Sequence, residues 1–234
     1  MRKSGRHWRL GPRRQPGGSE ALGNVHNVVQ VQHPLIHHHL ARLRDKTTPP
    51  SEFRQLIQRL SVLLAYEATS DLTLRPIHLE TPLAGTTGQI LLQRVGLVPI
   101  LRAGLGMVDP ILNLIPTAEV WHLGLYRDEV TAQPIEYYSK LPPHGPVEVA
   151  LVVDPMLATG GSAMAALAAL ERWGVPRLKV LSVIASQAGV DAISARFSDT
   201  QIYVCAVDAE LDARKFIVPG LGDAGDRIFN TLRE

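Results

Sequence analysis

Between Ser51 and Ala68 the apolar side chains fall at Phe53, Leu56, Ile57, Leu60, Leu63 and Leu64, with Arg54, Gln55, Gln58 and Arg59 between them. That spacing predicts an amphipathic helix. Pro49 and Pro50 precede it, and Ser51 is its expected N-cap. The stretch from Leu72 to Gln89 is broken by polar residues, Pro and Gly, and reads as a small excursion of strands and loops. From Val95 onward the period changes. Val95–Leu101, Ala118–Tyr126, Val147–Val153, Leu178–Ala185 and Ile202–Val207 read as strands. Between them, Val108–Leu114, Ser162–Trp173 and Val190–Phe197 read as helices, the second stopped by Gly174 and Pro176. Continuously apolar strands separated by helices imply a parallel sheet covered on both sides. The expected fold is therefore α/β and doubly wound. A mostly parallel sheet carries helices on both faces, with an N-terminal arm and a small excursion forming a hood.

Composition narrows the class without changing this picture. The chain has 234 residues, 45% of them hydrophobic and 20% charged, which excludes disorder as its main state. Apolar stretches such as Val149–Val153 and Leu181–Ala185 end far short of the ~20 residues a bilayer span needs. Cys205 is the only cysteine, so no internal disulfide forms, and an apolar strand around it implies a buried, inert thiol. Residues 1–24 contain no continuous apolar block, and the expected location is the cytoplasm.

The formal net charge of +2 is unevenly spread. Six basic residues (Arg2, Lys3, Arg6, Arg9, Arg13, Arg14) and Glu20 give residues 1–24 a net of +5, leaving a mildly acidic body. A Gly/Pro-broken segment of this kind is expected to be a disordered extension, with the domain proper at 25–234. His26, His33, His37, His38 and His39 are close in sequence, but no Cys or spaced carboxylate joins them, and contiguous helical side chains point apart.

The most informative segment is Val152-Val153-Asp154-Pro155-Met156-Leu157-Ala158-Thr159-Gly160-Gly161-Ser162. It lies where a strand's carboxyl end turns into a helix, the place where open α/β sheets bind ligands. Thr159, Gly160, Gly161 and Ser162 offer hydroxyls and open backbone N–H groups at the positive end of a helix dipole, which suits a phosphate. No lysine is present, so the Walker pattern does not apply. An acid beside a phosphate cradle suits a ligand with both hydroxyls and phosphate, such as ribose 5-phosphate.

This stretch resembles the phosphoribosyl-diphosphate loop of the type I phosphoribosyltransferases. Pro155 stands where that loop usually has a second acid, a form similar to the uracil phosphoribosyltransferase branch. Pro99-Ile100-Leu101-Arg102-Ala103-Gly104-Leu105-Gly106-Met107 looks like the branch's diphosphate loop, with Arg102 as a planar donor fork. Tyr126-Arg127-Asp128-Glu129, continuing to Pro142, is similar to its mobile hood. Ile217-Val218-Pro219-Gly220-Leu221-Gly222-Asp223-Ala224-Gly225-Asp226 is similar to its uracil loop, a backbone-exposing turn that reads the base through main-chain groups. The resemblance covers roughly Val28 to Glu234.

The resemblance implies the reaction of uracil with 5-phosphoribosyl 1-diphosphate to UMP and diphosphate, in pyrimidine salvage. It assigns catalytic roles to Arg102, Arg127 and Asp154, and phosphoribosyl-diphosphate binding to these three with Pro155, Met156, Leu157, Ala158, Thr159, Gly160, Gly161, Ser162 and Asp223. Uracil falls to Ile217, Gly222, Asp223 and Ala224. Magnesium (Mg2+) is the implied cofactor, with Asp223 acting on it indirectly. The resemblance extends to a GTP effector and to a homodimer or higher homo-oligomer, with neither membrane nor nucleic acid as partner. Two alternatives stay open: transfer to another base, and a non-catalytic regulator whose basic arm holds RNA. The arm's only aromatic residue is Trp8. Two departures from the branch stand out. Ser186-Gln187-Ala188-Gly189 replaces a Pro-acid-Gly turn, and Asp212, Lys215 and Phe216 replace Asn, Gly and Tyr.

Overall fold

A computed structural model describes residues 27–127, 134–139, 141–142 and 145–231, with the side chains of 125–127 and 134–139 outside the description. The basic segment 1–24 and the hood residues Asp128 and Glu129 therefore lie outside the described residues, as does the Arg127 side chain.

In chain order the elements begin with β1 (Val28–Gln30), α1 (Pro34–Arg44) and α2 (Pro50–Ala68), followed by the hairpin of β2 (Leu74–Glu80) and β3 (Gly85–Leu91). Next come β4 (Val95–Pro99), α3 (Leu105–Leu114), β5 (Glu119–Val120), and the antiparallel pair β6 (Leu123–Arg127) and β7 (Pro134–Ser139). Then follow β8 (Val149–Val153), β9 (Met156–Leu157), α4 (Gly161–Trp173), β10 (Arg177–Ser186), α5 (Gln187–Arg196) and β11 (Gln201–Asp208). The chain closes with β12 (Glu210–Leu211), β13 (Ile217–Val218) and α6 (Ala224–Phe229).

The doubly wound sheet expected from the apolar pattern is present. Its strands run in the order β1-β11-β10-β8-β4-β5, all parallel, with β9 also paired to β10. Every residue of β4 and β8 is buried, which is why both read as unbroken apolar runs and not as alternation. Val149, Leu151 and Val153 pack with Phe53, Leu60 and Ile111 under α2 and α3. Ala150 and Val152 pack with Ala166, Leu167 and Leu170 of α4 on the opposite face. Burial of each large side chain contributes about 1.5–3 kcal/mol, so the position where β8 ends is firmly set.

Setting aside β1 at the edge, the core strands lie in the spatial order second, first, third, fourth, fifth. The chain leaves β4 toward β5 on one side and returns to β8 on the other. The crevice between the carboxyl ends of β4 and β8 is thus the topological switch point, where this topology places its ligands.

Several boundaries differ from expectation for local reasons. Ala118–Tyr126 is two strands: Trp121 N still donates to Leu97 O at 2.8 Å and Leu123 bridges to Ile100, but from Leu123 on the ladder partner is β7. The helix expected from Ser51 begins one residue earlier, with Pro50 at its first position and no side-chain cap; the fixed φ of proline suits that place. α1 begins after His33, whose Nδ1 accepts from Leu35 N at 3.1 Å. The Cys205 thiol is buried, and desolvation pushes its pKa up to about 12. Among the described residues no helix is long and apolar enough to cross a membrane.

One charged contact fastens α2 to the sheet. Lys179 of β10 is 1% exposed, and its Nζ donates to Ala68 O at 2.6 Å and to Asp71 Oδ1 at 2.7 Å. Asp71 also pairs with Arg177. Burial holds the Lys179 ammonium below its ordinary pKa while Asp71 pulls it back. Asp71→Ala would strand this charge. Fully buried pairs cost roughly 3–5 kcal/mol when broken, and the partial exposure of Asp71 reduces the expected loss to about 2 kcal/mol. Lys179→Met, which removes charge and demand together, should lose much less. Chemical denaturation of both variants checks the order; a larger loss in Lys179→Met would contradict it.

Candidate functional site

Two strand ends build the centre of the site. Beyond β4, Ile100 N donates to Val153 O at 3.0 Å, so the turn after β4 is bonded to the last residue of β8. Gly104 makes this possible: a Cβ there would sit 2.5 Å from Val153 O and 2.7 Å from Ile100 O. Arg102 leaves this turn with its side chain 60% exposed, and its Nη2 donates to Asp226 Oδ1 at 3.2 Å.

Asp154 follows β8 directly. Its backbone N–H donates to Leu181 O at 3.2 Å, and one carboxylate oxygen accepts from Met156 N at 3.2 Å. Enclosure at the strand end raises its pKa to about 7; desolvation is the main cause, the Met156 N–H opposes it, and the nearby Asp223 carboxylate adds to it. Asp223 lies at the start of α6, where its side chain accepts from Asp226 N at 2.8 Å. A Cβ on Gly225 would meet Asp223 Oδ1 at 3.2 Å and Arg102 Nη2 at 3.6 Å. Arg102, Asp154 and Asp223, distant in sequence, are therefore neighbours.

The loop 155–162 crosses from β8 to α4. Gly160 at the N-cap of α4 has φ +78, a backbone conformation L side chains rarely adopt. The loop is bound from beneath by two hydroxyls of β10. Ser182 Oγ donates to Asp154 O, and Ser186 Oγ donates to Ala158 O at 2.5 Å. They lie four residues apart on one strand, hence on the same face. Ser186 also caps α5, accepting from Gly189 N at 2.9 Å. Gly189 passes so close beneath the loop that a Cβ would lie 2.4 Å from Ala158 O. The departure at 186–189 thus keeps a tight turn and adds a hydroxyl clamp.

The second loop, 217–223, is held by charges that the motif reading does not single out. Asp208, at the end of β11, accepts from Arg44 Nη1 and Nη2, both at 2.7 Å, and from Gly220 N at 3.1 Å. Arg44 Nη1 also donates to Gly220 O at 2.8 Å. Arg227 is buried, stacks on Phe53 at 4.2 Å, and donates to Leu43 O, Leu221 O and Asp45 O at 2.7–2.8 Å. Its fixed fork suits several carbonyls at once. Before this loop, Asp212 accepts from Arg214 N and Phe216 N at 2.9 and 2.8 Å. Lys215 takes φ +68 there, a conformation that explains why glycine suits the position and that costs a lysine about 1–2 kcal/mol.

The arrangement offers a guanidinium, two mutually repelling carboxylates, and a helix N-terminus with open backbone donors, converging at one switch point. The chemistry of such a set suits a phosphorylated, hydroxyl-bearing ligand. Among the described residues no group of three or more His, Cys, Asp or Glu could hold a metal ion by itself. Asp154 and Asp223 suit magnesium that arrives on a substrate diphosphate, since that ion binds through one or two carboxylates and keeps water and phosphate ligands.

A family model described as uracil phosphoribosyltransferase matches residues 29–231. A protein named uracil phosphoribosyltransferase from Roseiflexus castenholzii is 58% identical over 87% of this chain and 98% of its own. One of the same name from Clostridium beijerinckii is 49% identical over the same shares. Among solved structures, the AQ2163 protein from Aquifex aeolicus is similar with a TM-score of 0.81 and 34% identity, over 86% of this chain and 97% of that one.

The raised pKa of Asp154 makes a stability prediction. The unfolded carboxyl ionises near 3.8 and the folded one near 7, so the folded state is penalised increasingly as pH rises through this window. Asp154→Asn carries no such penalty. It should gain stability relative to the wild type at pH 8, by at most about 4 kcal/mol, and the gain should fade toward pH 4. Thermal melting across that range measures it, and a pH-independent difference would contradict the assignment.

Proposed function

The chain belongs to the uracil phosphoribosyltransferase family, and from that premise we propose how its residues join uracil N1 to C1 of 5-phosphoribosyl 1-diphosphate. The chain is a pentosyltransferase that makes UMP and diphosphate, a reaction of pyrimidine salvage. The convergence of Arg102 and Asp154 on the strand ends flanking the switch point carries the reading of the site.

The 5-phosphate sits on Ala158–Ser162, where Thr159, Gly160, Gly161 and Ser162 present N–H and hydroxyl donors at the start of α4. Pro155, Met156 and Leu157 carry the backbone between this cradle and Asp154. The Asp154 carboxylate accepts from the ribose 2- and 3-hydroxyls, and its charge faces the ring as C1 becomes oxocarbenium-like. The C1–O bond to diphosphate breaks with its electron pair leaving on oxygen. The N1 lone pair of uracil forms the new bond, and the N1 proton leaves to solvent. Arg102 and Arg127 hold the departing charge, a preorganised electrostatic contribution. Arg102 is free to turn to this task, because one 3.2 Å contact from an exposed guanidinium to Asp226 is weak. Magnesium, when bound with the diphosphate, would supply further charge neutralisation, and Asp223 would act on it indirectly. Uracil is read by main-chain groups of Ile217, Gly222, Asp223 and Ala224. Arg127 belongs to the hood and contacts phosphoribosyl diphosphate when the hood closes and sheds water.

The catalytic domain is residues 25–234, and the basic segment 1–24 stands outside it. The protein acts in the cytoplasm as a homodimer or higher homo-oligomer. The β2–β3 hairpin favours a second copy: its Leu74, Leu79, Leu83 and Leu91 are exposed, with Leu83 at 96%. A lone two-stranded hairpin is marginal in water. GTP is a candidate effector of that assembly.

Incubation with magnesium, phosphoribosyl diphosphate and each nucleobase in turn should yield UMP from uracil and no nucleotide from the others; a purine nucleotide would overturn the base assignment. Arg102→Ala should lower kcat about 10²–10³-fold, the usual loss for a preorganised donor, with the melting temperature little changed. Wild-type turnover in that variant would remove Arg102 from the site.

A further inference from the structure

We propose that the Arg44–Asp208 pair is the positioning device for uracil recognition, resting on the reading of 217–224 as the uracil loop. Uracil is uncharged, and a loop that reads it with backbone N–H and C=O groups discriminates only as well as those groups are fixed. Gly220 lies in the middle of that loop. Both of its backbone polar groups are bound from one side: Gly220 N donates to Asp208 Oδ2 at 3.1 Å, and Gly220 O accepts from Arg44 Nη1 at 2.8 Å. Arg44 and Asp208 are themselves joined by two parallel 2.7 Å contacts, which closes a ring of hydrogen bonds around one peptide position. The pair is shielded: Asp208 is 8% exposed, and the Arg44 side chain 24%. Bidentate charge-assisted bonds in such surroundings fix direction as well as distance.

The loop needs this restraint because its own geometry is tight. Gly220 has φ +57, and a Cβ there would lie 1.9 Å from Ile217 O. The next residue is held independently by Arg227, through Leu221 O at 2.8 Å. Asp208 also lies directly across the sheet from Ser186, in the register Ser186↔Asp208. Neighbouring positions on two parallel strands therefore support the two halves of the site. Ser186 holds the phosphate loop through Ala158 O, and Asp208 holds the base loop through Gly220 N. The two substrates are thereby expected to depend on different clamps.

Arg44→Lys keeps the charge and loses the fork; Asp208→Asn keeps the shape and loses the charge. Kinetics with each substrate varied separately should show the KM for uracil rising at least tenfold in both variants. The KM for phosphoribosyl diphosphate should stay within about twofold, as should its calorimetric Kd measured without uracil. Asp208→Glu, which restores the charge, should recover part of the uracil KM. A merely structural role would instead raise both KM values together, in step with a lower melting temperature, and that result overturns the proposal, as does an unchanged uracil KM in either folded variant. UMP formation by the wild-type chain tests the reaction itself, so failure of the positioning role is distinguishable from failure of that reading.

Discussion

Asp154 stands at the end of a strand from which water is excluded on both faces, and the rest of the site follows from that placement. β8 is buried along its whole length between two apolar layers, so its carboxyl end cannot shift without opening both. The carboxyl is held in surroundings that favour its neutral form, with a second carboxylate nearby. In the absence of ligand the position works against the fold. A ligand that donated hydroxyls to the charged form, as in the proposed ribose contact, would remove the conflict.

Around Asp154 the parallel sheet acts as a set of anchors. Its neighbouring elements each fasten one loop: Gly104 lets the turn after β4 bond to Val153, Ser182 and Ser186 of β10 hold the loop after β8, and Asp208 at the end of β11 with Arg44 of α1 holds the loop after β13. None of these groups is required to touch a substrate. Ser182, Ser186, Asp208 and Arg44 each hydrogen-bond a backbone atom of the candidate site, which fixes its loops in advance of any ligand.

Legibility in the sequence followed the same division. The central strands were readable because burial on both faces makes them continuously apolar, and the phosphate loop because a Gly-Gly turn after an acid is locally distinctive. Ser186, Asp208, Arg44 and Arg227 were not, since their backbone partners lie 6 to 184 residues away for the charged groups and on another strand connection for the serine. Isolated Arg or Ser residues carry no period and no motif. The split of Ala118–Tyr126 was hidden for a related reason: both halves are extended, and only pairing partners tell where one sheet is left for another. At Lys215 a residue that fits poorly by local preference is tolerated because Asp212 binds the turn on both sides of it.

The most direct measurement is the titration of the Asp154 carboxyl itself, by NMR of chain carrying carboxyl-labelled aspartate, with Asp154→Asn assigning the signal. In the free protein the midpoint should lie at about 7. Saturation with ribose 5-phosphate should lower it relative to saturation with inorganic phosphate, because only the sugar donates hydroxyls to the ionised form. A midpoint near the ordinary carboxyl value, or the same midpoint with both ligands, would contradict the account.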